Sequence, residues 1–464
     1  MNIQHKPTLI ILLFTGWSIR NYLNDYFISR LKHNYKIHLL LPECDKNLKK
    51  RIKSFGLSYE CVNKISYPRF LRIINFILIS TTNFKLGYWN QYLWERQKRL
   101  HSAYKKPFYY FVAMLKRFFS IEIFFKLLKK IDFYFVQKYV SKLNYGEIID
   151  KLHPSEIFSP DIYNLTERAL CIEFRNKNIN ITGAVLSWDH LTYKGHIFSI
   201  YDKILVWNQS MKNDVINHMP EYDLENIKIT GSAQFDFHIM KNNKKGSKNI
   251  SAGKKNLLFS SSGVEWSMPD EPMIVEQIYK AGQDNKIKYD LNITVRMHPI
   301  DMSDRFDYLK EKYPEITIQR PWKKQKLNYW WFTPNQKDVE LYTKTLVNSD
   351  LNINYASTTT LDAAILNIPT INFNYFLDSN NPINKNILYL HEGYHYKRLI
   401  RCNGVKIATN FSEMINHINE YLDNPKCDTL GRTKMVDELC GKVDGNSYKR
   451  IAEAIINNKK AINI

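Results

Sequence analysis

The chain has 464 residues, 44% of them hydrophobic, and a formal net charge of +21. This length suggests two or three domains rather than one, and the hydrophobic content is ample for large cores. The positive charge points to an anionic partner, namely a membrane surface, a phosphorylated substrate or nucleic acid. An AT-rich genome enriches Lys, Asn, Ile and Tyr together, so it would explain much of the same charge without any function.

Cysteine usage and the apolar segments indicate a cytoplasmic protein without a metal site. The six cysteines are scattered, with no close pair at metal-ligand spacing, as expected of reduced thiols. The apolar run 9–14 is too short for a signal peptide. Residues 108–128 come nearest to a membrane span, but four charged residues interrupt them, so no span is predicted. We also predict no cofactor.

The N-terminal elements are typical of a doubly wound parallel sheet. The sequence predicts a strand at 9–14, a turn at 16–21, a helix at 24–31 and a strand at 37–41. Short apolar strands that alternate with helices in this way predict a parallel sheet.

Residues 67–143 form a helical, aromatic and basic insert in the N-terminal domain. Between residues 96 and 132 the insert has ten Lys or Arg against two acids, Glu122 and Asp132. Aromatic and aliphatic residues recur there at helical spacing, with basic residues between them. Such basic amphipathic helices suit the interface of an anionic membrane. The alternative is a set of core helices whose polar face is simply solvated.

The α/β pattern resumes after the insert and starts again after a polar linker. Strands are predicted at 156–159, 184–187, 203–207 and 227–230, with helices at 165–176 and 209–218. The linker, at 241–256, is rich in Lys, Asn, Gly and Ser. Later strands are predicted at 257–259, 293–296, 316–318, 351–353 and 370–373, with helices at 273–281, 361–366 and 434–456.

The predicted fold class is therefore α/β, with two Rossmann-like domains facing a cleft. We place the N-terminal domain at 1–240, the linker at 241–256, the C-terminal domain at 257–430 and a C-terminal helix at 431–464. In such sheets ligands bind outside the carboxyl ends of the strands, so the candidate site residues are those that follow strands.

Two segments of the C-terminal domain are candidates to bind a phosphate. A loop of small residues follows the first strand, and its backbone N–H groups are expected to approach phosphate; its residues are Ser260, Ser261, Ser262 and Gly263. Arg296 and His298 close a later strand, and we expect an exposed guanidinium that suits phosphate and an imidazole that donates to it or transfers a proton. Each segment is also typical of a structural βα loop.

A third segment opens a helix with hydroxyl residues. Ser357, Thr358 and Thr359 are expected to cap this helix, whose N-terminus favours an anion. Asp362, in the first turn, would accept a hydrogen bond from a ribose hydroxyl. An ordinary capped helix in a βαβ unit is the alternative.

The N-terminal domain offers a candidate for proton transfer. Asp189 and His190 follow a predicted strand, and either side chain would take a proton from an acceptor hydroxyl. The neighbouring Trp188, and Arg20 beside the first predicted turn, are candidates to bind the acceptor. A solvated turn pair is the alternative for Asp189 and His190.

Several of these segments resemble a known group of proteins. The segments at 187–195, 203–210, 227–236 and 296–299, together with Ser357 and Asp362, are similar to bacterial GT-B glycosyltransferase-like proteins of surface-polysaccharide biosynthesis. That group includes CDP-glycerol glycerophosphotransferases and shares its fold with UDP-N-acetylglucosamine 2-epimerases. The resemblance covers roughly residues 156–422. In this group an Asn commonly follows the Asp of the Ser-Trp-Asp pattern, whereas here His190 does.

The resemblance implies a metal-independent transferase. The C-terminal half would hold a nucleotide-activated sugar donor through Arg296, His298, Ser357, Thr358 and Asp362, and the N-terminal half would hold the acceptor. We therefore predict a cytoplasmic glycosyltransferase, peripheral to the anionic inner membrane. It would transfer a sugar to a surface-glycan or lipid-linked acceptor, as in lipopolysaccharide or capsule synthesis.

Three alternatives stay open. One is a polyol-phosphate transferase of the CDP-glycerol type, and another is a sugar-nucleotide epimerase, which would not need the basic insert. The third is a non-enzymatic basic protein that binds a membrane or nucleic acid. Nucleic acid is not a predicted partner, because the basic residues do not follow one continuous face with stacking aromatics.

Overall fold

The computed structural model describes residues 6–88, 106–143, 145–242, 253–263, 269–321, 336–377 and 390–457. The chain divides into two compact units. Unit 1 comprises Met1–Ser232 and Asn446–Ile464, and unit 2 comprises Ala233–Gly445. Among the described helices, none has the length and apolar character needed to cross a bilayer.

Unit 1 is built on a parallel sheet of seven strands. The strands are β1 (Thr8–Leu12), β2 (Lys36–Leu41), β3 (Ser58–Cys61), β4 (Pro154–Ser159), β5 (Asn180–Ala184), β6 (Lys203–Val206) and β7 (Ile227–Ile229). Their order in the sheet is β3-β2-β1-β4-β5-β6-β7. The order reverses between β1 and β4, and such a reversal opens a crevice at the carboxyl ends of the strands.

The helices of unit 1 cover this sheet and form the insert. They are α1 (Gly16–Tyr22), α2 (Asp25–Lys32), α3 (Lys46–Ser54), α4 (Arg69–Lys85), α5 (Lys106–Phe119), α6 (Glu122–Val140), α7 (Gly146–Leu152), α8 (Leu165–Asn176), α9 (His190–Tyr193) and α10 (Gln209–His218). The central strand β1 is buried almost throughout, as expected for a strand covered on both faces.

Unit 2 repeats the same plan with six parallel strands. The strands are β8 (Lys255–Ser260), β9 (Leu291–Arg296), β10 (Thr317–Gln319), β11 (Leu351–Asn354), β12 (Thr370–Phe373) and β13 (Lys406–Ala408). Their order is β10-β9-β8-β11-β12-β13, so the order reverses between β8 and β11. One apolar core, centred on residues such as Phe259, Val295, Ile353 and Phe373, packs against the sheet.

The helices of unit 2 precede, connect and follow these strands. They are α11 (Ala233–Asn242), α12 (Glu271–Gln283), α13 (Asp307–Lys312), α14 (Gln336–Asn348), α15 (Thr359–Ile365), α16 (Tyr394–Ile400), α17 (Phe411–Asp423) and α18 (Thr429–Met435). The last helix, α19 (Ser447–Ile456), belongs to unit 1. Short 3₁₀ turns lie at Ser141–Leu143, Leu224–Asn226 and Leu390–Glu392, and a π-helical turn lies at Val436–Cys440.

The structure corrects the prediction of a turn at residues 16–21. This segment is α1, because Thr15 caps the helix and its hydroxyl accepts the N–H of Ser18 at 3.0 Å. Gly16 at the first helical position is compatible with that cap, so the turn signal of the glycine was outweighed.

The C-terminal segment also differs from its prediction. A single helix at 434–456 is wrong, because Gly441 and Gly445 adopt φ values of 74° and 72° and interrupt it. This left-handed backbone region favours glycine and ends helices. The division of the chain is shifted as well: α11, which packs against α14 and α15, lies in unit 2, and much of the predicted linker lies outside the described residues.

Helix α19 is held on unit 1 by hydrogen bonds from side chains to backbone carbonyls and by buried aliphatic side chains. Arg450 Nε donates to the carbonyl of Thr230 at 2.7 Å, and Lys203 Nζ donates to the carbonyl of Ala454 at 2.7 Å. Ile451 and Ile455 are buried against the unit. The chain therefore returns to its first unit after completing the second.

Replacing Ile455, which is 0% exposed, tests this placement. Ile455→Ala should lower the free energy of unfolding by roughly 2–5 kcal/mol, because a buried aliphatic side chain leaves a cavity. Urea denaturation followed by tryptophan fluorescence measures the change. Leu430, 88% exposed on α18, supplies the control, and Leu430→Ala should cost less than about 0.5 kcal/mol. Equal effects would contradict the packing of α19.

Candidate functional site

The loops that follow β8 and β9 meet at the carboxyl ends of the unit 2 strands. The N–H of Ser261 donates to the carbonyl of Arg296 at 2.9 Å, and the N–H of His298 donates to Ser261 Oγ at 3.0 Å. The hydroxyl of Ser260 donates to Asn352 Oδ1 of β11 at 3.0 Å. The structure thus brings two of the candidate segments together, beside the point where the strand order reverses.

Gly263 is required by the close packing of these two loops. A Cβ at this position would lie 2.8 Å from Ile300 Cδ1 and 3.1 Å from His298 Nδ1. The sequence instead predicts a small loop whose N–H groups reach a phosphate. The N–H groups of Ser261 and Ser262 already donate within unit 2, so they are engaged in holding the loop.

A buried ion pair, which the sequence analysis missed, anchors the loop after β8. Glu271, at the start of α12, accepts the N–H of Ser262 at 2.9 Å and the Ser262 hydroxyl at 2.9 Å. Arg305 Nη2 donates to Glu271 at 2.7 Å, while Arg305 Nε donates to Asp301 at 2.8 Å. Burial raises the pKa of Glu271, and the charge of Arg305 opposes that shift. No local motif marks this pair, since its members are 34 residues apart.

Arg296 is buried and ion-paired, not exposed as the sequence analysis expects. Its Nη2 lies 2.8 and 2.9 Å from the two carboxylate oxygens of Asp338 on α14, and its guanidinium lies 5.5 Å from the centre of the Tyr342 ring. Nη1 is buried and makes no hydrogen bond within the described part of the chain. A phosphate would have to share this guanidinium with Asp338.

His298 presents a neutral N–H donor. Its Nδ1 accepts the N–H of Ile300 at 3.2 Å, so the neutral ring carries its proton on Nε2. Burial lowers the pKa of His298 to about 4. The ring is therefore suited to donate a hydrogen bond to a phosphate oxygen, but it is not a proton source at neutral pH.

The hydroxyl segment lies half-buried at the start of α15. Ser357 Oγ accepts the N–H of Thr359 at 3.3 Å and lies 3.1 Å from the Thr359 hydroxyl. The helix begins two residues earlier than predicted, and Thr358 at the N-cap makes no side-chain capping bond. This segment follows β11, the strand next to β8. The three candidate segments of unit 2 therefore follow three neighbouring strands, β9, β8 and β11.

Asp362 is engaged inside unit 2. One carboxylate oxygen lies 3.0 Å from His238 Nε2, and the other accepts the Tyr342 hydroxyl at 2.9 Å. His238 Nδ1 in turn lies 3.2 Å from Thr343 Oγ1. The ribose contact expected from the sequence would therefore have to share an oxygen that already binds a neighbour. His238 had no signal in the sequence, because it lies on α11, the first helix of unit 2, 124 residues before Asp362.

Unit 1 holds a buried carboxyl pair at its own point of strand reversal, and the sequence analysis missed it. Glu167 on α8 accepts the Ser159 hydroxyl at 2.8 Å and the N–H of Asp161 at 3.1 Å. Burial, together with the charge of Asp161, raises the pKa of Glu167 well above its usual range. Glu167 is three residues after Asn164, which caps α8. From sequence alone that spacing indicates only an ordinary helix start.

His190 lies beside Asp161 of this pair, at the end of a loop that also carries Asp189. Strand β5 ends at Ala184, so the strand predicted at 184–187 is mostly loop. Ser187 Oγ donates to Asp189 at 2.5 Å. His190 Nδ1 is 3.7 Å from Asp161 Oδ1, beyond hydrogen-bond distance, and burial lowers the pKa of His190 to about 4. A neutral imidazole beside a carboxylate can accept a proton.

The two residues predicted to bind an acceptor are less accessible than expected. Trp188 is buried, so its ring packs within unit 1. Arg20 is half-buried in the last turn of α1, and its Nε donates to Asn21 Oδ1 at 3.0 Å. Both lie in segments that follow strands of the same sheet.

In the part of the chain that the structure describes, no group of three or more His, Cys, Asp or Glu side chains is arranged to hold a metal ion. All six cysteines are thiols without a disulfide.

Solved structures match this chain over nearly its whole length. The UDP-N-acetylglucosamine 2-epimerase of Neisseria meningitidis, solved with UDP-GlcNAc, is 10% identical at a TM-score of 0.53 and covers 97% of this chain and 99% of its own. A Listeria monocytogenes protein named for the same activity is 12% identical at a TM-score of 0.54, over 97% and 96%. The wall teichoic acid polymerase TagF is 13% identical, over 98% and 89%, and its TM-score of 0.49 supports no argument.

No protein-family model matches the chain, and no curated protein matches it. At these identities the structural matches establish the fold. Two doubly wound parallel sheets with this strand order have the α/β GT-B fold, and the prediction of that fold group is confirmed.

The Arg296–Asp338 pair yields a stability prediction. Arg296→Met should lower the free energy of unfolding by on the order of 3 kcal/mol, because it leaves a largely buried carboxylate without its cation. Urea denaturation measures the loss. The double variant Arg296→Met/Asp338→Leu should recover most of it, since the uncompensated charge is gone. Wild-type stability in the single variant would show that the pair is not structural.

His298 yields a prediction about pH. Its folded pKa of about 4 is below the ordinary 6.5, so between these values the unfolded chain binds a proton that the folded chain does not. Acid therefore favours unfolding. Relative to His298→Gln, the wild type should lose about 1.4 kcal/mol of stability per pH unit as pH falls through that window. Paired urea titrations at several pH values measure the difference, and a constant difference would mean that the ring is solvated.

Proposed function

We propose that the protein is a glycosyltransferase that takes a sugar from a nucleotide-sugar donor. One observation carries the proposal: the loop after β8, the Arg296–His298 segment and the Ser357–Thr359 segment follow three neighbouring parallel strands. The order of the strands reverses among them, where doubly wound sheets bind their ligands. The fold supports the proposal, because the Neisseria meningitidis protein of the same fold was solved with UDP-GlcNAc.

The donor phosphates would be bound mainly by neutral groups. His298 Nε2 and the hydroxyls of Ser357, Thr358 and Thr359 belong to half-buried residues, whereas Arg296 is buried and paired with Asp338. In the transfer step the bond between the sugar and the leaving phosphate breaks, and the acceptor oxygen bonds to the sugar carbon. Hydrogen bonds to the departing phosphate stabilise its growing negative charge.

Unit 1 would activate the acceptor hydroxyl. His190 is neutral at physiological pH and lies beside Asp161, which would favour the imidazolium that forms when the ring takes a proton. Asp189, which is half-buried and adjacent to His190 in the chain, is the alternative base. The acceptor would be a surface-glycan or lipid-linked hydroxyl, as in lipopolysaccharide or capsule synthesis, in the bacterial cytoplasm.

A sugar-nucleotide epimerase is the second candidate, because the Neisseria meningitidis and Listeria monocytogenes proteins carry that name. A polyol-phosphate transferase of the CDP-glycerol type would use the same segments. Incubation with UDP-GlcNAc alone distinguishes a glycosyltransferase from an epimerase. An epimerase converts the sugar without an acceptor, and NMR detects that conversion. Binding of CDP-glycerol in preference to UDP-sugars would favour the polyol-phosphate transferase.

The donor assignment is tested by binding of UDP and UDP-GlcNAc. If the site binds either, a concentration 100 times the dissociation constant should raise stability by about 2.7 kcal/mol. His298→Gln should weaken binding by roughly tenfold or more, since one hydrogen bond to a charged group is lost. His417→Gln, a half-buried histidine on α17, is the control and should bind normally. Unchanged affinity in His298→Gln would remove this residue from the site.

The base is tested by kinetics in the presence of an acceptor. Replacing the true base, by Asp189→Asn or His190→Gln, should lower turnover by roughly 100-fold to 10,000-fold while nucleotide binding persists. If His190 is the base, its pKa of about 4 keeps it deprotonated, so kcat/KM should stay level as pH falls from 7 to about 5. Near-normal turnover in both variants would place the base elsewhere.

A further inference from the structure

The helices α4, α5 and α6 of unit 1 are apolar on two sides. One side is buried in the unit and includes Leu71, Leu78, Val112, Phe125, Leu128, Val136 and Val140. The other side leaves large apolar side chains in solvent, and ten of them are Phe70, Ile73, Phe111, Met114, Phe118, Ile121, Ile123, Leu127, Tyr134 and Phe135. Phe76 and Tyr110 are also exposed on these helices. Their exposure ranges from 36% for Phe135 to 71% for Ile123. A surface helix of a globular protein needs only one apolar side, so the second requires an explanation.

The exposed side chains are continuous across the three helices. The rings of Phe70 on α4 and Phe135 on α6 have centroids 5.7 Å apart, and Phe118 on α5 stacks on Phe124 of α6 at 4.2 Å. The three helices pack against one another. Monomeric soluble proteins rarely expose contiguous apolar patches of more than a few hundred Å². We call this surface, the ten exposed apolar side chains and the exposed cations among them, the docking face.

The docking face is strongly basic. Among the side chains that the structure describes, seven exposed Lys or Arg lie on the three helices: Arg69, Arg72, Lys85, Arg117, Lys126, Lys130 and Lys138. Glu122 is the exposed acid of these helices, and Lys85 pairs with it, while Asp132 is buried. Lys116 is not part of the face, because it is 3% exposed and its ammonium lies 5.1 Å from the Phe84 ring.

We propose that the docking face binds the surface of an anionic lipid bilayer. The apolar side chains would enter the headgroup region while the surrounding cations meet lipid phosphates and carboxylates. A second copy of the chain fits poorly, because pairing the same face would oppose two sets of seven exposed cations. Nucleic acid fits poorly as well, because aliphatic side chains such as Ile73, Met114 and Ile123 offer no ring for a base.

This proposal does not rest on the transferase function. For the insert the sequence leaves two alternatives, helices that bind a membrane or helices of the core. In the structure, α4, α5 and α6 have one side buried in the core and a separate side exposed to solvent. No described helix can span a bilayer, so the binding would be at the surface. Donor binding and membrane binding are measured separately, and either can fail alone.

Vesicle flotation of the full chain tests the proposal. Vesicles containing phosphatidylglycerol should bind the protein, and phosphatidylcholine vesicles should bind it at least about tenfold less. Raising salt from low to about 0.5 M should release most of the protein, because screening shortens the reach of the cations. No flotation on phosphatidylglycerol vesicles at low salt, or flotation that ignores both salt and lipid charge, would overturn the proposal.

Matched variants locate the surface. Ile123→Gln/Leu127→Gln and Arg117→Glu/Lys130→Glu should each reduce binding by about tenfold or more. The controls are Leu224→Gln/Leu430→Gln, two exposed leucines elsewhere, and Lys50→Glu/Lys53→Glu on α3, which carries the same change in charge. Circular dichroism checks that each variant folds. Equal losses of binding in variants and controls would overturn the proposal. It would also be overturned if the docking-face variants abolished dimer formation or RNA binding by the protein but still floated with the vesicles.

Discussion

The buried pairing of Glu271 with Arg305 is the constraint on which the candidate site of unit 2 depends. Glu271 is fully buried, and the loop after β8 reaches its place by donating both an N–H and a hydroxyl to that carboxylate. A buried carboxylate is costly unless a cation and hydrogen bonds compensate for it, and Arg305 with Ser262 provides both. Because the backbone N–H of His298 donates to Ser261 in the same loop, fixing the loop also fixes the backbone of His298.

Unit 1 also has a buried glutamate that holds the loop after a central strand, but this glutamate faces a carboxylate and not a cation. Glu167 on α8 holds the loop after β4 through Ser159 and Asp161, as Glu271 on α12 holds the loop after β8. In both units the helix that follows a central strand returns a carboxyl group to that strand's end, next to the reversal of strand order. Glu271 has a cation, whereas Glu167 faces Asp161, so its pKa is raised further. Unit 1 therefore keeps the carboxyl groups of Glu167 and Asp161 together, and burial with the charge of Asp161 favours the protonated form of Glu167.

Several polar residues of the site are engaged within the protein before any ligand arrives. Arg296 is paired with Asp338, and Asp362 with His238 and Tyr342. These contacts keep side chains of different elements in one arrangement, which is the usual condition for a site that must position a substrate. They also explain why loss of binding in a variant of Arg296 would be ambiguous, since its fold would suffer first.

The sequence by itself determined the parallel α/β plan and the segments at the ends of the strands. Helices α8 and α10 and strand β12 lie at their predicted residues. Both helices begin after an Asn cap, and such a cap followed by a long periodic run predicts a helix and its start. The sequence also predicted a basic, aromatic helical insert at 67–143, and the described helices α4, α5 and α6 lie within that range. Two local predictions were wrong. The turn predicted at 16–21 is helix α1, because Thr15 caps it. The helix predicted at 434–456 is interrupted at Gly441 and Gly445, after which α19 returns to unit 1.

Only the tertiary structure decided which polar groups are paired and which faces are covered. Asp338, Glu271 and His238 reach the site from elements far along the chain, and no local spacing encodes such a contact. The state of His298 and His190 likewise follows from burial, which lowers the pKa of each to about 4. The insert shows the same limit, because periodicity reveals an apolar helix but packing alone determines which of its sides stays in solvent.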